Sequence, residues 1–352
     1  MPDWTKSMQQ TFEYYLVDPG TWKDTKPLKN VTSSSISRDS DTDTLGSATF
    51  DTTDLIGECY IRTYLVTIQN GVTERFPLGT HLVQTPSSSF DGMVRSVSLD
   101  AYTPLLELKE NPPPIGYFIA KDEDIMDTAY RLVRDNVRAP VVGAVCDEKL
   151  FSNFVSNTSD TWMTFTKDLI AEAKYIFDLD ELGRILFTPK QDTAALQPIW
   201  TYDDSNSSIL YPELNLSHDL YGIPNVVELI YTDNGRHFET RVVNDDPNSP
   251  ISTVNRGREI IYRETNPSFV GNPTDHELQL YAETILKELS TIEYTISYTH
   301  GYYPSRPGDC VRLNYPRAGL NNVKAKIISQ SIKCEPGCPV SEKAVFTQKL
   351  WR

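Results

Sequence analysis

The sequence has 352 residues, 39% of them hydrophobic and 23% charged, which is enough apolar material for packed cores and excludes wholesale disorder; at ~150 residues per domain it predicts two or three domains. The formal net charge of −15, from 33 basic and 48 acidic residues, argues against stable nucleic-acid binding, which depends on basic groups neutralising phosphates. No stretch approaches the ~20 apolar residues of a membrane helix, and the polar, acidic opening Met1-Pro2-Asp3-Trp4 has neither the basic start nor the apolar core of a secretion signal. The chain is therefore expected to fold in a cytoplasm, with its odd, dispersed cysteines (Cys59, Cys146, Cys310, Cys334, Cys338) reduced.

Residues 1–110 read as all-β. A long strand over 58–69, rich in Tyr, Ile, Val and Thr, runs into Asn70-Gly71, which supplies the positive φ angles of a type I′ hairpin turn. Residues 72–76 form the return strand; Gly79 breaks it, 80–85 resumes and Pro86 stops it. Residues 93–102 alternate, with Met93, Val97, Leu99 and Ala101 on one face. Short strands at regular spacing suggest a small barrel or sandwich. The stiff Asn111-Pro112-Pro113-Pro114 then marks a domain boundary.

The period changes next. Asp122 is placed to cap a helix whose stripe is Ile125, Met126, Ala129, Leu132 and Val133, and a second helix follows Asp160 with the stripe Trp162, Phe165, Leu169. Strands over 175–179 and 184–188 flank Asp180-Glu181-Leu182-Gly183. Strands over 225–232 and 237–244 flank a second turn, Asp233-Asn234-Gly235-Arg236, and a loose stretch covers 245–273. Thr274-Asp275-His276-Glu277 is a capping box, opening a helix whose core stripe is Leu278, Tyr281, Ala282, Ile285, Leu286 and Leu289. Strands over 293–299, 310–314, 323–331 and 344–351 close the chain.

No sequence motif for catalysis stands out. There is no phosphate-binding glycine loop and no nucleophile elbow. His81, His218, His237, His276 and His300 are scattered singly. Asp178, Asp180 and Gly183 imitate part of a calcium loop, but Leu182 stands at a ligand position and Pro189 replaces the closing Glu, so an acidic turn explains them. Cys334-Glu335-Pro336-Gly337-Cys338 has no second pair to complete a zinc site and reads as a turn. Catalytic residues, cofactor ligands and metal ligands are accordingly all expected to be absent. The five tryptophans, Trp4, Trp22, Trp162, Trp200 and Trp351, are widely spaced, which favours neither a hydrolase cleft nor a sugar-binding platform.

Several segments, taken in order, resemble the hub proteins of long-tailed phages. They are 36–39 through Gly46-Ser47-Ala48-Thr49-Phe50; Pro77-Leu78-Gly79-Thr80-His81-Leu82-Val83 with Asp91-Gly92 and Leu99-Asp100-Ala101-Tyr102; and Gly183-Arg184-Ile185-Leu186-Phe187-Thr188-Pro189. His300-Gly301-Tyr302-Tyr303-Pro304 with Arg306-Pro307-Gly308-Asp309-Cys310-Val311 follows, then 326–332 and the closing Lys349-Leu350-Trp351. The resemblance implies an α+β, mainly β fold with two tail-tube-like antiparallel β-barrels and α/β insertions. The first barrel would be 1–110, the α/β domain 111–204, and the second barrel 205–245 plus 293–352, with 246–292 inserted. It further implies a non-enzymatic virion component: a homotrimer, or a monomer that trimerises only on assembly, forming a pseudo-sixfold ring at the baseplate or tail tip. Its partners would be the tail-tube or distal tail protein, the central spike or tail-tip protein and the tape-measure protein, with DNA passing through unbound and an acidic or neutral polar lumen. Relatives carrying a fused peptidase or lysozyme continue beyond the point where this chain ends. A tail-associated cell-wall hydrolase and a host carbohydrate-binding module are the alternatives.

Overall fold

The computed structural model describes residues 1–191, 193–233, 236–267 and 273–351. Seven strands come first: β1 (Gln9–Val17), β2 (Asp24–Leu28), β3 (Val31–Asp39), β4 (Gly46–Thr52), β5 (Tyr60–Gln69), β6 (Val72–Phe90) and β7 (Arg95–Tyr102). A helical module follows, with α1 (Leu106–Glu110), β8 (Phe118–Ile119), α2 (Ile125–Asn136), β9 (Phe154–Val155), α3 (Trp162–Glu172) and the hairpin β10 (Tyr175–Leu179) and β11 (Ile185–Pro189). Then come β12 (Pro198–Asp203), β13 (Leu210–His218), β14 (Val226–Asp233), β15 (Arg236–Val243), α4 (Thr253–Arg256), β16 (Ile261–Thr265) and α5 (Asp275–Leu289). The last strands are β17 (Thr291–Gly301), β18 (Cys310–Tyr315), β19 (Leu320–Lys333) and β20 (Pro339–Lys349).

The chain divides into two units, Met1–Leu214 with Ser297–Ala344 and Asn215–Ile296 with Val345–Arg352, the boundary falling within β13, β17 and β20. The mainly β, α+β class is as expected. The strands do not separate into two closed barrels, however. Among the described residues the large sheet is an open path, β13-β17-β20-β19-β3-β4-β7-β6-β5-β1-β2, with β18 branching from β19 and β12 pairing β18. The ladder of β19 on β3, with Ile332 opposite Ile36, joins late strands to early ones.

β5 lies between two cores. It is buried on both faces, so it reads as an apolar run rather than an alternation. Ile61 and Leu65 enter a core with Ile36, Phe50, Leu78, Leu99 and Val340. Tyr60 enters another with Leu82, Leu105, Val133, Phe165 and Ile185. The helical module is thus packed on the sheet through a shared core.

Local signals held where local chemistry decides. Asn70 and Gly71 take φ of +51° and +79°, as the hairpin turn requires. The capping box of α5 forms between Thr274 and Glu277, and Leu278, Ala282, Ile285 and Leu286 are buried against Val227, Leu229 and Val242 in the second unit. There β14 is flanked by β15 and β16. The turn residues Asn234 and Gly235 lie outside the described residues.

Neighbours changed other expectations. β6 continues through Gly79 and Pro86. A register shift opposite Thr63 and Tyr64 absorbs the break near Gly79. Past Leu82, β6 pairs only with β7, and a free edge tolerates a proline that lacks an N–H. Asp124, not Asp122, caps α2; α3 follows Asp160 as expected, with Thr161 as its cap. Met93 lies in a turn outside β7, with 90% of its surface exposed, rather than on the inward face.

Two polar centres fix the first unit. In the β10–β11 turn, Asp180 Oδ1 accepts from the Leu182 and Arg184 backbone N–H groups at 3.0 and 2.8 Å, and Gly183 takes φ +75°. The turn so formed offers the Leu182 carbonyl to three donors: Trp22 Nε1 at 2.8 Å, Thr80 Oγ1 at 2.9 Å and the Arg62 guanidinium at 3.2 Å. Arg62 is itself buried and pairs with Asp24 at 2.9 Å.

The second centre is Glu342 on β20, fully buried. It accepts from Tyr298 Oη at 2.6 Å, Gln330 Nε2 at 2.6 Å and Ser305 Oγ at 2.9 Å, and faces His300 Nε2 at 3.2 Å. Burial alone would raise its pKa. The His300 charge, with hydrogen bonds from His300, Tyr298 and Gln330, outweighs burial and holds the carboxyl below its ordinary 4.5.

Two outcomes follow for denaturation experiments. A Cβ on Gly183 would stand 2.8 Å from Thr80 Cβ. Gly183→Ala should therefore cost roughly 1–2 kcal/mol for the left-handed backbone plus roughly 1–3 kcal/mol for the clash. Gly319→Ala, at φ +77° with open space around it, should cost the backbone part alone; equal losses in the two variants would refute the docked turn. The depressed Glu342 contributes stability that is present above pH 4.5 and lost as pH falls through its folded value. Glu342→Gln should flatten that acid limb, and His300→Ala should cost about 3–5 kcal/mol by stranding a buried carboxylate. An acid limb as steep in Glu342→Gln as in the parent chain would show that Glu342 does not contribute it.

Candidate functional site

Beside the Leu182 turn, β3 and β6 face the β10–β11 hairpin across a cavity of about 120 Å³. Leu45, Leu78, Ile176, Phe177 and Leu179 give it an apolar lining, and Arg38, Asp39, Asp178, Glu181, Arg306 and Lys326 bring charge to it. Arg38 is already engaged, donating to the Leu78 carbonyl at 2.7 Å and to the Ser305 carbonyl and Gln330 Oε1 at 3.2 Å each. Arg306 stands 3.7 Å from Asp178. Burial raises the Asp178 carboxyl, with Glu181 and Asp180 adding to it and Arg306 opposing.

His81 lines the same cavity but is buried, and burial with Arg38 nearby pushes its pKa down to about 3. It is a neutral imidazole near neutral pH, with Nδ1 unpaired. His81 is thus outside the range where a general base works well at neutral pH. The cavity offers shape, apolar contact and a few charges, which suit the seating of a side chain.

The other residues weighed from the sequence are dispersed. Cys334 and Cys338 are free thiols packed with the core of the first unit. Burial pushes Cys334 up to about 11, and burial with Cys334 nearby pushes Cys338 higher, so neither is a ready thiolate for metal or nucleophilic chemistry. His300 belongs to the buried Glu342 centre. His237 is exposed beside Glu239 at 2.8 Å, His276 is exposed on α5, and His218 lies tilted against Tyr294 with ring centroids 4.6 Å apart. Asp180 and Gly183 form the docked turn, and Asp178 lies on β10 beside Arg306. Trp4, Trp22 and Trp162 are buried, and Trp200 and Trp351 half-buried, so the tryptophans make no exposed platform.

Among the described residues no group of three or more His, Cys, Asp or Glu side chains is arranged to hold a metal, and no helix is long and apolar enough to cross a membrane. Sequence reasoning missed the Glu342 centre. The available signal was the run Ile296, Tyr298, His300, which puts a tyrosine and a histidine on the buried face of β17.

No protein-family model matches this chain, and no curated protein matches its sequence. Solved structures do match. The tail protein from Neisseria meningitidis MC58 aligns with a TM-score of 0.60 at 13% identity, over 96% of this chain and 97% of that one. The 43 kDa tail protein of prophage MuSo2 from Shewanella oneidensis aligns with a TM-score of 0.60 at 11% identity, over 95% and 98%. An E. coli component of the type VI secretion system, described as structurally similar to the T4 bacteriophage tail proteins gp27 and gp5, aligns with a TM-score of 0.50 at 8% identity, over 92% and 75%. At these identities the likeness is one of architecture, and it runs through nearly the whole chain: this protein has the mainly β fold of phage and prophage tail proteins.

Proposed function

We propose that the protein is a non-enzymatic structural component of a phage tail, the hub of its baseplate or tail tip. The observation that carries this reading is the end-to-end likeness of fold to two tail proteins, each covered almost completely. In this reading three copies form a ring of pseudo-sixfold symmetry. The ring joins the hexameric tube, through the tail-tube or distal tail protein, to a trimeric central spike or tip, and lets the tape-measure protein and DNA pass. The chain would be assembled in the host cytoplasm and would reside in the virion tail. Its net charge of −15 suits a lumen that repels the phosphate backbone and lets it slide.

The reading assigns no catalytic, cofactor or metal role to any residue. Buried, protonated thiols at Cys334 and Cys338 and the low pKa of His81 support that assignment.

Light scattering of the purified chain, alone and with its tail partners, should report three copies, and low-resolution imaging should show a threefold ring with a central opening; a stable dimer in both settings would overturn the proposal. Metal analysis should find no stoichiometric zinc, and one zinc per chain would overturn the reading of the cysteine pair. Host cell walls in a zymogram should remain intact, since a clearing band would mark a hydrolase instead. Once the ring is resolved, its inner wall should carry mainly Asp, Glu, Ser, Thr and Asn. An inner wall of unpaired Lys and Arg would refute the sliding channel.

A further inference from the structure

β6 and β7 outrun their neighbours. β5 accompanies β6 only to Leu82, and β4 accompanies β7 only to Val97. Beyond these points Ser89 pairs with Ser96 and Phe90 with Arg95, forming a ribbon of two strands alone. Its stem, Ser87, Ser88, Ser89 and Ser96, is exposed and has no apolar face. Its tip is a built turn: Asp91 Oδ1 accepts from the Met93 and Val94 backbone N–H groups at 2.9 and 2.8 Å, and Gly92 takes φ +95°. The turn displays Phe90, Met93 and Val94 at 66%, 90% and 54% exposure. Three large apolar side chains held out on a formed turn mark a contact surface.

We infer that this tip is an assembly arm, and that it seats in the cavity beside the Leu182 turn of a second copy of the chain. The inference rests on the ring reading above. Size limits the occupant: the cavity measures about 120 Å³, below the roughly 150 Å³ that accommodates a benzene ring, so it admits one slender side chain such as that of Met93 rather than the whole tip. Chemistry fits as well. Leu45, Leu78 and Ile176 offer apolar contact, and Glu181 offers a carboxylate to Arg95 at the base of the tip, Asp178 being engaged by Arg306. Anionic occupants such as nucleic acid or an acidic lipid surface are disfavoured by the chain's −15 charge. Because arm and socket are different patches, the contact is head-to-tail, which closes into a ring when the rotation fits. An isologous dimer would need one self-complementary patch.

The test uses the full chain under conditions where it is trimeric. The arm variant Phe90→Ser/Met93→Ser and the socket variant Ile176→Glu alter exposed or half-exposed positions, and thermal melts of each should match the parent. Each alone should run as a monomer by light scattering. Mixed together they should form a species of two copies and no larger, because one intact arm meets one intact socket and the ring cannot close. Arg95→Glu should weaken association at least tenfold at low salt. An arm variant that still forms the parent trimer overturns the arm and leaves the ring standing, as does a mixture that stays monomeric beside a trimeric parent. A parent chain that is never trimeric, alone or with its tail partners, overturns the ring and the arm together.

Discussion

One backbone carbonyl, that of Leu182, ties the β10–β11 hairpin to the sheet of the first unit. Trp22, Thr80 and Arg62 all donate to it, and each comes from a different part of the first seven strands or their connections. Arg62 could not be buried without its acceptors, the Leu182 and Trp22 carbonyls, Thr80 Oγ1 and the Asp24 carboxylate, because an uncompensated buried cation costs several kcal/mol. The turn carrying Leu182 depends in turn on Asp180, which holds two of its N–H groups, and on Gly183, which lets the chain reverse against Thr80. Sheet, hairpin and buried cation therefore stand or fall together, and the cavity beside them exists because the hairpin is held at that distance.

The Glu342 centre solves a similar problem differently. Arg62 is matched by a carboxylate and carbonyls, whereas Glu342 is matched by His300 and three neutral donors. Both are polar groups satisfied inside the first unit, and each admits few alternative arrangements, since any shift leaves a charge unpaired in a low-dielectric interior. Arg38 lies between the two, bonded to the Leu78 carbonyl on β6 and to Ser305 and Gln330 of the Glu342 centre.

The titratable groups follow the same logic. His81 is kept neutral by burial, the paired cysteines are kept protonated, and Glu342 is locked into a hydrogen-bonded pair. Burial explains the histidine and cysteine shifts, and for Glu342 the His300 charge and its hydrogen bonds outweigh burial. Perturbed pKa values often accompany catalysis. Here they accompany structural burial, and the surface features left over are apolar ones, such as the tip at Phe90 and Met93.

Much of the fold was legible wherever a few consecutive residues decide the outcome. Asn70-Gly71 determined its turn because both positions need positive φ. Thr274 and Glu277 determined the start of α5 because each satisfies the other's backbone, and the spacing of Leu278, Ala282, Ile285 and Leu286 determined its buried face. The acidic turn at 180–183 was legible as a turn, but its role was not, since the acceptor is a carbonyl that every residue possesses. Tertiary structure alone decided that β6 runs on through Pro86, because the proline is harmless only where no third strand pairs. It alone decided that β19 lies on β3, joining late strands to early ones in a single open sheet. And it alone brought Glu342 to His300, 42 residues away, and Leu182 to Trp22, Arg62 and Thr80. In each case the energy resides in partners distant along the chain, and periodicity and turn chemistry, being local, carry no record of which strand will lie opposite.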